Sequence, residues 1–429
     1  MRPLYLSNTI SLRLIGFSIF YFGQGVPIGL FTVALPAVLA ARGADAADVA
    51  TLIAITGLPW AFKLISGPFM DRFAYPAMGR RRPWVIAAQL GLTLSMASLV
   101  TVTDPVEQLP LLITLGFIIN SFAAVQDVAV DGMAIDVLPL NERGRANAFM
   151  AFGQVAGFSG FGALNGFLLT QYDLPVAALV STATVGLILA FATATREREG
   201  ERLLPWTKGE ASLTLSQPDQ SFLVIFKDLI RVLLLPMSLL LVGVELIARG
   251  AAGIYITILP IISVQELGYS PAQYSYWYGL MGGMAAVVGI LFGPIIDRYG
   301  AASLLRWGLV GIALSSVLFA LATPLWGNDT FVITMLGVSL ILSQVFFVAM
   351  IAIFMGICWA KVAATQFAIY MSLANLGRSL GAGLFAFIAA DLSAIESIYL
   401  MSGLLTVAAL LLTAFNPARH AARIDALES

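Results

Sequence analysis

The sequence predicts an all-α membrane protein with twelve transmembrane helices arranged as two six-helix halves. Three observations predict it. Of 429 residues, 59% are hydrophobic and 11% charged, with a mean hydropathy of +0.91, whereas ordinary soluble domains carry about 25% charged residues. Apolar runs near the roughly 20 residues that cross a bilayer recur along the whole chain. One short motif, GPFMDR at Gly67–Arg72, returns as GPIIDR at Gly293–Arg298.

The spans of the first half fall at 14–41, 49–70 (around Lys63), 83–103, 108–138, 146–172 and 174–195. The first of these is too long for the apolar core of a cleavable signal and reads as a span. The fourth holds Asp127 and Asp131, and the fifth repeats Gly153, Gly157, Gly160, Gly162 and Gly166, a small-residue stripe that favours close helix packing. A polar break follows from Arg196 to about Gln220. Then Phe222–Arg231 sets apolar residues at helical spacing beside Lys227, Asp228 and Arg231, the pattern of an interfacial amphipathic helix. The second half spans 232–265 (with Glu245 and Arg249), 267–296, 307–328, 330–360, 362–390 (with Arg378) and 397–418. The predicted domains are therefore 1–195, a linker at 196–231, and 232–429 with a short tail. Pro27, Pro36, Pro59 and Pro260 are candidate helix bends.

With both termini cytoplasmic, 19 Lys and Arg residues fall in inside segments and only Arg42 outside, a strong positive-inside bias. Net charge is −1, so no basic excess points to nucleic acid. The chain holds one cysteine, Cys358, and one histidine, His420, placed in the polar tail. That composition leaves no intrachain disulfide, no Cys/His zinc site and no His dyad unless His420 serves one. None of the four lysines follows glycine, so a phosphate-cradling ATP loop is absent. The expectation is a non-enzyme without cofactor or metal.

Charges inside spans are costly and default to function. Asp127 and Asp131, four residues apart, share a helical face. Lys63 lies eight residues before Asp71, and Asp127 nine before Asp136, so Lys63 and the two aspartates sit at matching depth. Lys63 can pair with one carboxylate and leave the other for a proton or cation; the alternative is a satisfied structural network. Glu245 and Arg249 share a face at i, i+4. Arg249 and Arg378 reach similar depth, where two guanidiniums suit a carboxylate or phosphate substrate, unless Arg378 pairs with Glu245 as a staple between helices. Gln24, Asn120, Gln344 and Asn375 are softer candidates for lining a substrate cavity, as are Tyr21, Gln126, Gln154, Asn165 and Tyr370. The Tyr274–Tyr278 cluster reads as an interfacial belt rather than a sugar platform.

GPFMDRFAYPAMGRRRPW resembles the signature loop between the second and third helices of the major facilitator superfamily, with a longer insertion before Arg80–Arg82. Together with QDVAVDGMAIDVLPLNERGRANAF from Gln126 and ATQFAIYMSLANLGRSLG from Ala364, it resembles the branch of bacterial muropeptide permeases and acetyl-coenzyme A transporters. The resemblance implies the major facilitator fold and a cytoplasmic gate at Asp71 and Arg72, copied at Asp297 and Arg298. By position, Asp71 can pair with Arg145 or Arg143. Topology setting or lipid-phosphate binding is the competing role for the Arg80–Arg82 triplet. The implied activity is proton-coupled import of a bulky anionic solute such as a muropeptide. The setting would be the inner membrane, with protons, a small-molecule substrate and membrane lipids as partners and a monomer as the working unit. A siderophore or acyl-coenzyme A permease, and a channel or lipid scramblase, are the competing readings.

Overall fold

Most of the chain is helix, and three of the helices start where short polar residues satisfy the first free amides. Thr9 Oγ1 accepts from Leu12 N (3.3 Å), Asn328 Oδ1 accepts from Phe331 N (3.2 Å), and Ser393 forms a reciprocal capping box with Glu396. The computed structural model describes residues 4–73, 75–209, 222–291, 295, 298–359 and 361–428. The helices are α1 (Ile10–Ala41), α2 (Ala46–Ala61), α3 (Lys63–Arg72), α4 (Arg82–Ser98), α5 (Leu109–Val137), α6 (Arg143–Gln171) and α7 (Leu174–Ala194). They continue as α8 (Phe222–Leu233), α9 (Pro236–Glu266), α10 (Pro271–Leu291), α11 (Ala301–Leu321), α12 (Asp329–Ile357), α13 (Ala363–Ile388), α14 (Ala394–Leu411) and α15 (Pro417–Glu428). Among the described residues nine of these are long and apolar enough to cross a membrane. The predicted second span is interrupted at Phe62, three residues beyond Pro59, giving α2 and α3; α6 and α10 are the remaining predicted spans. Two-residue strands β1 (Leu4–Tyr5) and β2 (Thr195–Arg196) pair in parallel.

The chain resolves into two compact units. The first comprises Met1–Ala44, Phe62–Ser216 and Gly268–Gly279; the second comprises Asp45–Ala61, Gln217–Leu267 and Leu280–Ser429. In the first, α1 and α6 approach so closely that only glycine fits at the crossing. A Cβ on Gly153 would lie 2.1 Å from Ser18 O, and one on Gly157 2.3 Å from Phe22 O. The second unit repeats the device between α9 and α13. There a Cβ on Gly253 would lie 2.3 Å from Arg378 O, and one on Gly381 2.2 Å from Gly250 Cα. α1 and α9 also share a backbone feature. Pro27 and Pro260 lack an N–H and crowd the preceding turn, and each is followed by a π-helical turn, Leu30–Ala34 and Ile262–Glu266. α2 groups with the second unit because its small face fits α13: Gly57 faces Ser379 Oγ, and Asn375 Nδ2 donates to Trp60 O at 3.4 Å.

Two polar segments form packed helices. The predicted amphipathic helix is α8, whose Leu229 and Val232 are buried with Trp359 and Val362. The tail is helical as well. It forms α15, which packs Ile424 and Leu427 on the same cluster and buries His420 to 3% exposure.

Candidate functional site

The candidate interior residues of the first unit lie on α1, α3, α5 and α6. Lys63, the first residue of α3, places Nζ 2.8 Å from Asp127 Oδ2, and Asp127 is only 4% exposed. One turn along α5, Asp131 accepts a hydrogen bond from the Tyr21 hydroxyl of α1. Among the described residues no cation stands within ion-pair distance of Asp131. The two carboxylates that share a face are thus partnered differently, one by a full charge and one by a hydroxyl. Next to them Gln126 Nε2 donates to Phe20 O (3.3 Å), and Gln154 Nε2 donates to Gln24 Oε1 (3.3 Å). Gln24 is fully buried, with its own amide nitrogen unpartnered. Asn120 is buried and donates to Gly116 O of its own helix (2.9 Å).

A second charged cluster sits where α5 ends. Asp136 lies 3.6 Å from Arg80 Nη1 and 3.8 Å from Arg81 Nε. Gly132 makes this possible, because a Cβ there would stand 2.7 Å from Arg81 Nε. Arg13 binds Glu142 with two bonds of 2.8 Å and also donates to Leu6 O and Ser7 O. Glu197, just past β2, accepts from the backbone N–H groups of Arg80, Arg81 and Arg82 (3.2, 2.9 and 2.7 Å), capping the start of α4 from across the chain. Burial pushes the Glu197 carboxyl above its ordinary value, with the three amides pulling the other way. Burial likewise raises Glu201, which accepts from the amides of Glu197 and Arg198.

The predicted gate residues and the arginine triplet are placed as follows. Arg82 is 2% exposed and donates to Thr193 O, Arg202 O and Leu203 O, so it is a packed structural residue rather than a lipid anchor. Arg72 and Arg145 are exposed, and Arg143 donates to Ile135 O (3.2 Å). The Asp71 side chain and Asp297 lie outside the described residues; Arg298 is exposed, its guanidinium over the Tyr299 ring. Asp136, Glu142, Glu197 and Arg13 carry the observed network, and sequence reasoning passed over their partners. The available signal was that three carboxylates stand at span ends near an arginine triplet.

In the second unit Arg249 Nε donates to Glu245 Oε1 at 2.8 Å within α9, and the guanidinium lies over the rings of Phe346 (5.3 Å) and Phe347 (5.1 Å) of α12. Glu245 is 1% exposed and its Oε2 has no hydrogen-bond partner, so the staple to Arg378 does not form. Arg249 borders a cavity of about 60 Å³ together with Tyr255, Ser339, Ser343 and Phe346. Arg378 donates to Asn375 Oδ1 at 3.5 Å. Gln344 packs at Gly289, where a Cβ would stand 2.6 Å from it. The structure therefore brings Glu245 and Arg249 together, and separately Arg378 and Asn375. Among the described residues no group of three or more His, Cys, Asp or Glu could hold a metal ion. Cys358 is a single free thiol.

The sequence profile of the Major Facilitator Superfamily matches residues 14–382 and 241–428. The chain is similar to the anhydromuropeptide permease of Escherichia coli K12, 32% identical over 132 residues, which is 31% of this chain and 26% of that permease's length. A longer match runs to the putative transporter AmpG 3 of Rickettsia prowazekii, 24% identical over 346 residues, 79% of this chain and 80% of the relative. Among solved structures, a POT family transporter in complex with a thioalcohol-conjugated peptide has the same fold, with a TM-score of 0.73, 11% identity, and coverage of 97% of this chain and 98% of that one. This chain belongs to the Major Facilitator Superfamily and is a multi-pass membrane transporter, not an enzyme.

Proposed function

We propose that this transporter is a proton-coupled importer of a bulky anionic solute of the muropeptide class. It works by alternating access as a monomer in the inner membrane, with both termini in the cytoplasm. The observation that carries the coupling is the unequal partnering of Asp127 and Asp131. With Lys63 charged and both carboxylates ionised, the cluster bears one net negative charge; a proton on Asp131 makes it neutral. An uncompensated charge in a low-dielectric interior is expensive, so the proton changes the relative energy of conformers that expose or occlude this cluster. The substrate class is supported by the name of the Escherichia coli relative and by Arg249. Only the Arg249 Nε is taken by Glu245, which leaves the guanidinium fork beside a cavity to meet a carboxylate. Arg378 and Asn375 are assigned to substrate contact on the same chemistry, with Gln24, Asn120 and Gln344 as polar lining. Asp71, Arg72 and Arg145, with Asp297 and Arg298, are assigned to gating.

The test is uptake into proteoliposomes of labelled anhydromuropeptide, acyl-coenzyme A and a siderophore under an imposed inward proton gradient. Saturable, gradient-dependent accumulation of anhydromuropeptide alone is expected. Gradient-independent entry, or accumulation of another solute instead, overturns the assignment.

A further inference from the structure

The second unit holds a buried carboxylate of its own, Glu245 of α9, whose charge rests on a single bond. Oε1 accepts from Arg249 Nε at 2.8 Å, while Oε2 is buried with no hydrogen-bond partner. An ionised carboxylate has room for several donors, and one buried beside a lone cation depends on that cation for its charge. Arg249 has a second claim on it. Its guanidinium lies over Phe346 and Phe347, and the residue borders the cavity shared with Tyr255, Ser339 and Ser343.

Few other charges stand at this level. α2, α12 and α14 carry Asp48, Asp329 and Glu396 in their first turns and no other acidic or basic residue. α11 holds only Arg306, and α13 only Arg378, which donates to Asn375 Oδ1. The charges of α15 meet α9 at its foot, beside Leu235–Met237, about two turns before Glu245. Those of α8 precede that foot in sequence, and Glu266 closes the far end of α9. The phenols of these helices are Tyr255 at the cavity, Tyr370 bonded to Gln366, and Tyr399, which is exposed. Among the described residues Arg249 is the cation paired with Glu245.

We propose that Glu245 is a second proton-binding carboxylate, loaded when an anionic group of the solute takes Arg249. This rests on the reading of Arg249 as the contact for a solute carboxylate. With Glu245 ionised, that carboxylate makes two anions share one guanidinium in a water-poor interior. At a separation of about 6 Å and an effective dielectric constant of about 20, their repulsion weakens binding about a hundredfold. A proton taken from water onto the Glu245 carboxyl removes the repulsion. The guanidinium is then balanced by the solute, and the site stays neutral. With Asp131 as the other acceptor, two protons accompany each solute.

The experiment uses the full chain purified in detergent, with labelled anhydromuropeptide as the probe. Its Kd is measured from about pH 5 to 8, above the ordinary carboxylate range, and proton uptake on binding is counted with an indicator in weak buffer. The wild-type Kd should rise with pH, approaching tenfold per unit for each proton taken up. E245Q should lose about one such factor and take up about one proton fewer. At the alkaline end it should bind about a hundredfold more tightly than wild type, because the repelling charge is gone. If E245Q does not fold, D131N decides, since a proton held by Glu245 is still taken up when residue 131 cannot titrate. No uptake by D131N, or equal uptake by wild type and E245Q, overturns the proposal and leaves the contact between Arg249 and solute standing. Absence of anhydromuropeptide binding to wild type at any pH overturns that contact and the proposal together.

Discussion

Removing the ammonium from Lys63 should expose the energetics of the buried pair. At 2.8 Å, with an effective dielectric constant of about 20, Coulomb attraction between Lys63 and Asp127 is about 6 kcal/mol. Most of that offsets the cost of taking both ions out of water, so the pair itself adds little net stability. The asymmetry appears when one member is lost. The Asp127 side chain is 5% exposed and the Lys63 side chain 21%, so Lys63→Met strands a carboxylate that has no route to water, at a cost of about 3–5 kcal/mol. Asp127→Asn strands the ammonium, which has a longer and partly exposed stem and should cost less. The double variant removes both charges and should recover most of the loss. The assay is a double-mutant cycle on unfolding in a single detergent, with coupling of about 2 kcal/mol or more expected. Additive single effects, or a double variant less stable than Lys63→Met, would refute the view that these two charges stabilise each other.

If Asp131 carries the proton, Asp131→Asn should abolish gradient-driven accumulation while leaving substrate exchange between equal compartments intact; loss of both activities would point to a structural role. Glu197→Ala should cost about 2–4 kcal/mol, because the amides of Arg80, Arg81 and Arg82 lose their acceptor. Glu197 also gives a pH test. Its carboxyl is raised in the fold, so its contribution is present below the ordinary value of 4.5 and is lost as pH rises through the raised value. The melting-temperature advantage of wild type over Glu197→Gln should therefore shrink as pH is raised from about 4.5, and a widening gap would contradict the burial argument. Gly157→Ala should cost about 1–3 kcal/mol or prevent folding, since its Cβ would meet Phe22 O at 2.3 Å. Gly160→Ala has open space within 4 Å and should be neutral or stabilising by up to about 1 kcal/mol, as read by thermal unfolding.

Which contacts could be read from the sequence follows from how strongly position is constrained. A charge inside a span must find a partner at its own depth, and depth along a helix is countable, so Lys63 could be matched to the level of Asp127 and Asp131 by residue number alone. Glycines at four-residue spacing similarly announce a close crossing, although their partners on α1 could not be named. The charges at span ends have no such constraint. Water is available to them, depth no longer selects a partner, and Asp136, Glu142 and Glu197 could each have met several arginines. Their choice is set by local shape: Gly132 leaves room for Arg81, and Gly79, at φ +99 with a would-be Cβ 2.7 Å from the Glu197 carboxyl, turns the backbone so that three successive amides converge. The burial of His420 within the tail becomes legible only when the apolar residues at 424 and 427 are counted with it as one helical face. The same reasoning separates the two aspartates of α5. Depth alone offers Lys63 to either of them, and only the interruption at Phe62, which sets where α3 begins, gives it to Asp127 and leaves Asp131 with the hydroxyl of Tyr21. The break in the second predicted span is thus the feature that pairs one carboxylate with a full charge and leaves the other to a hydroxyl.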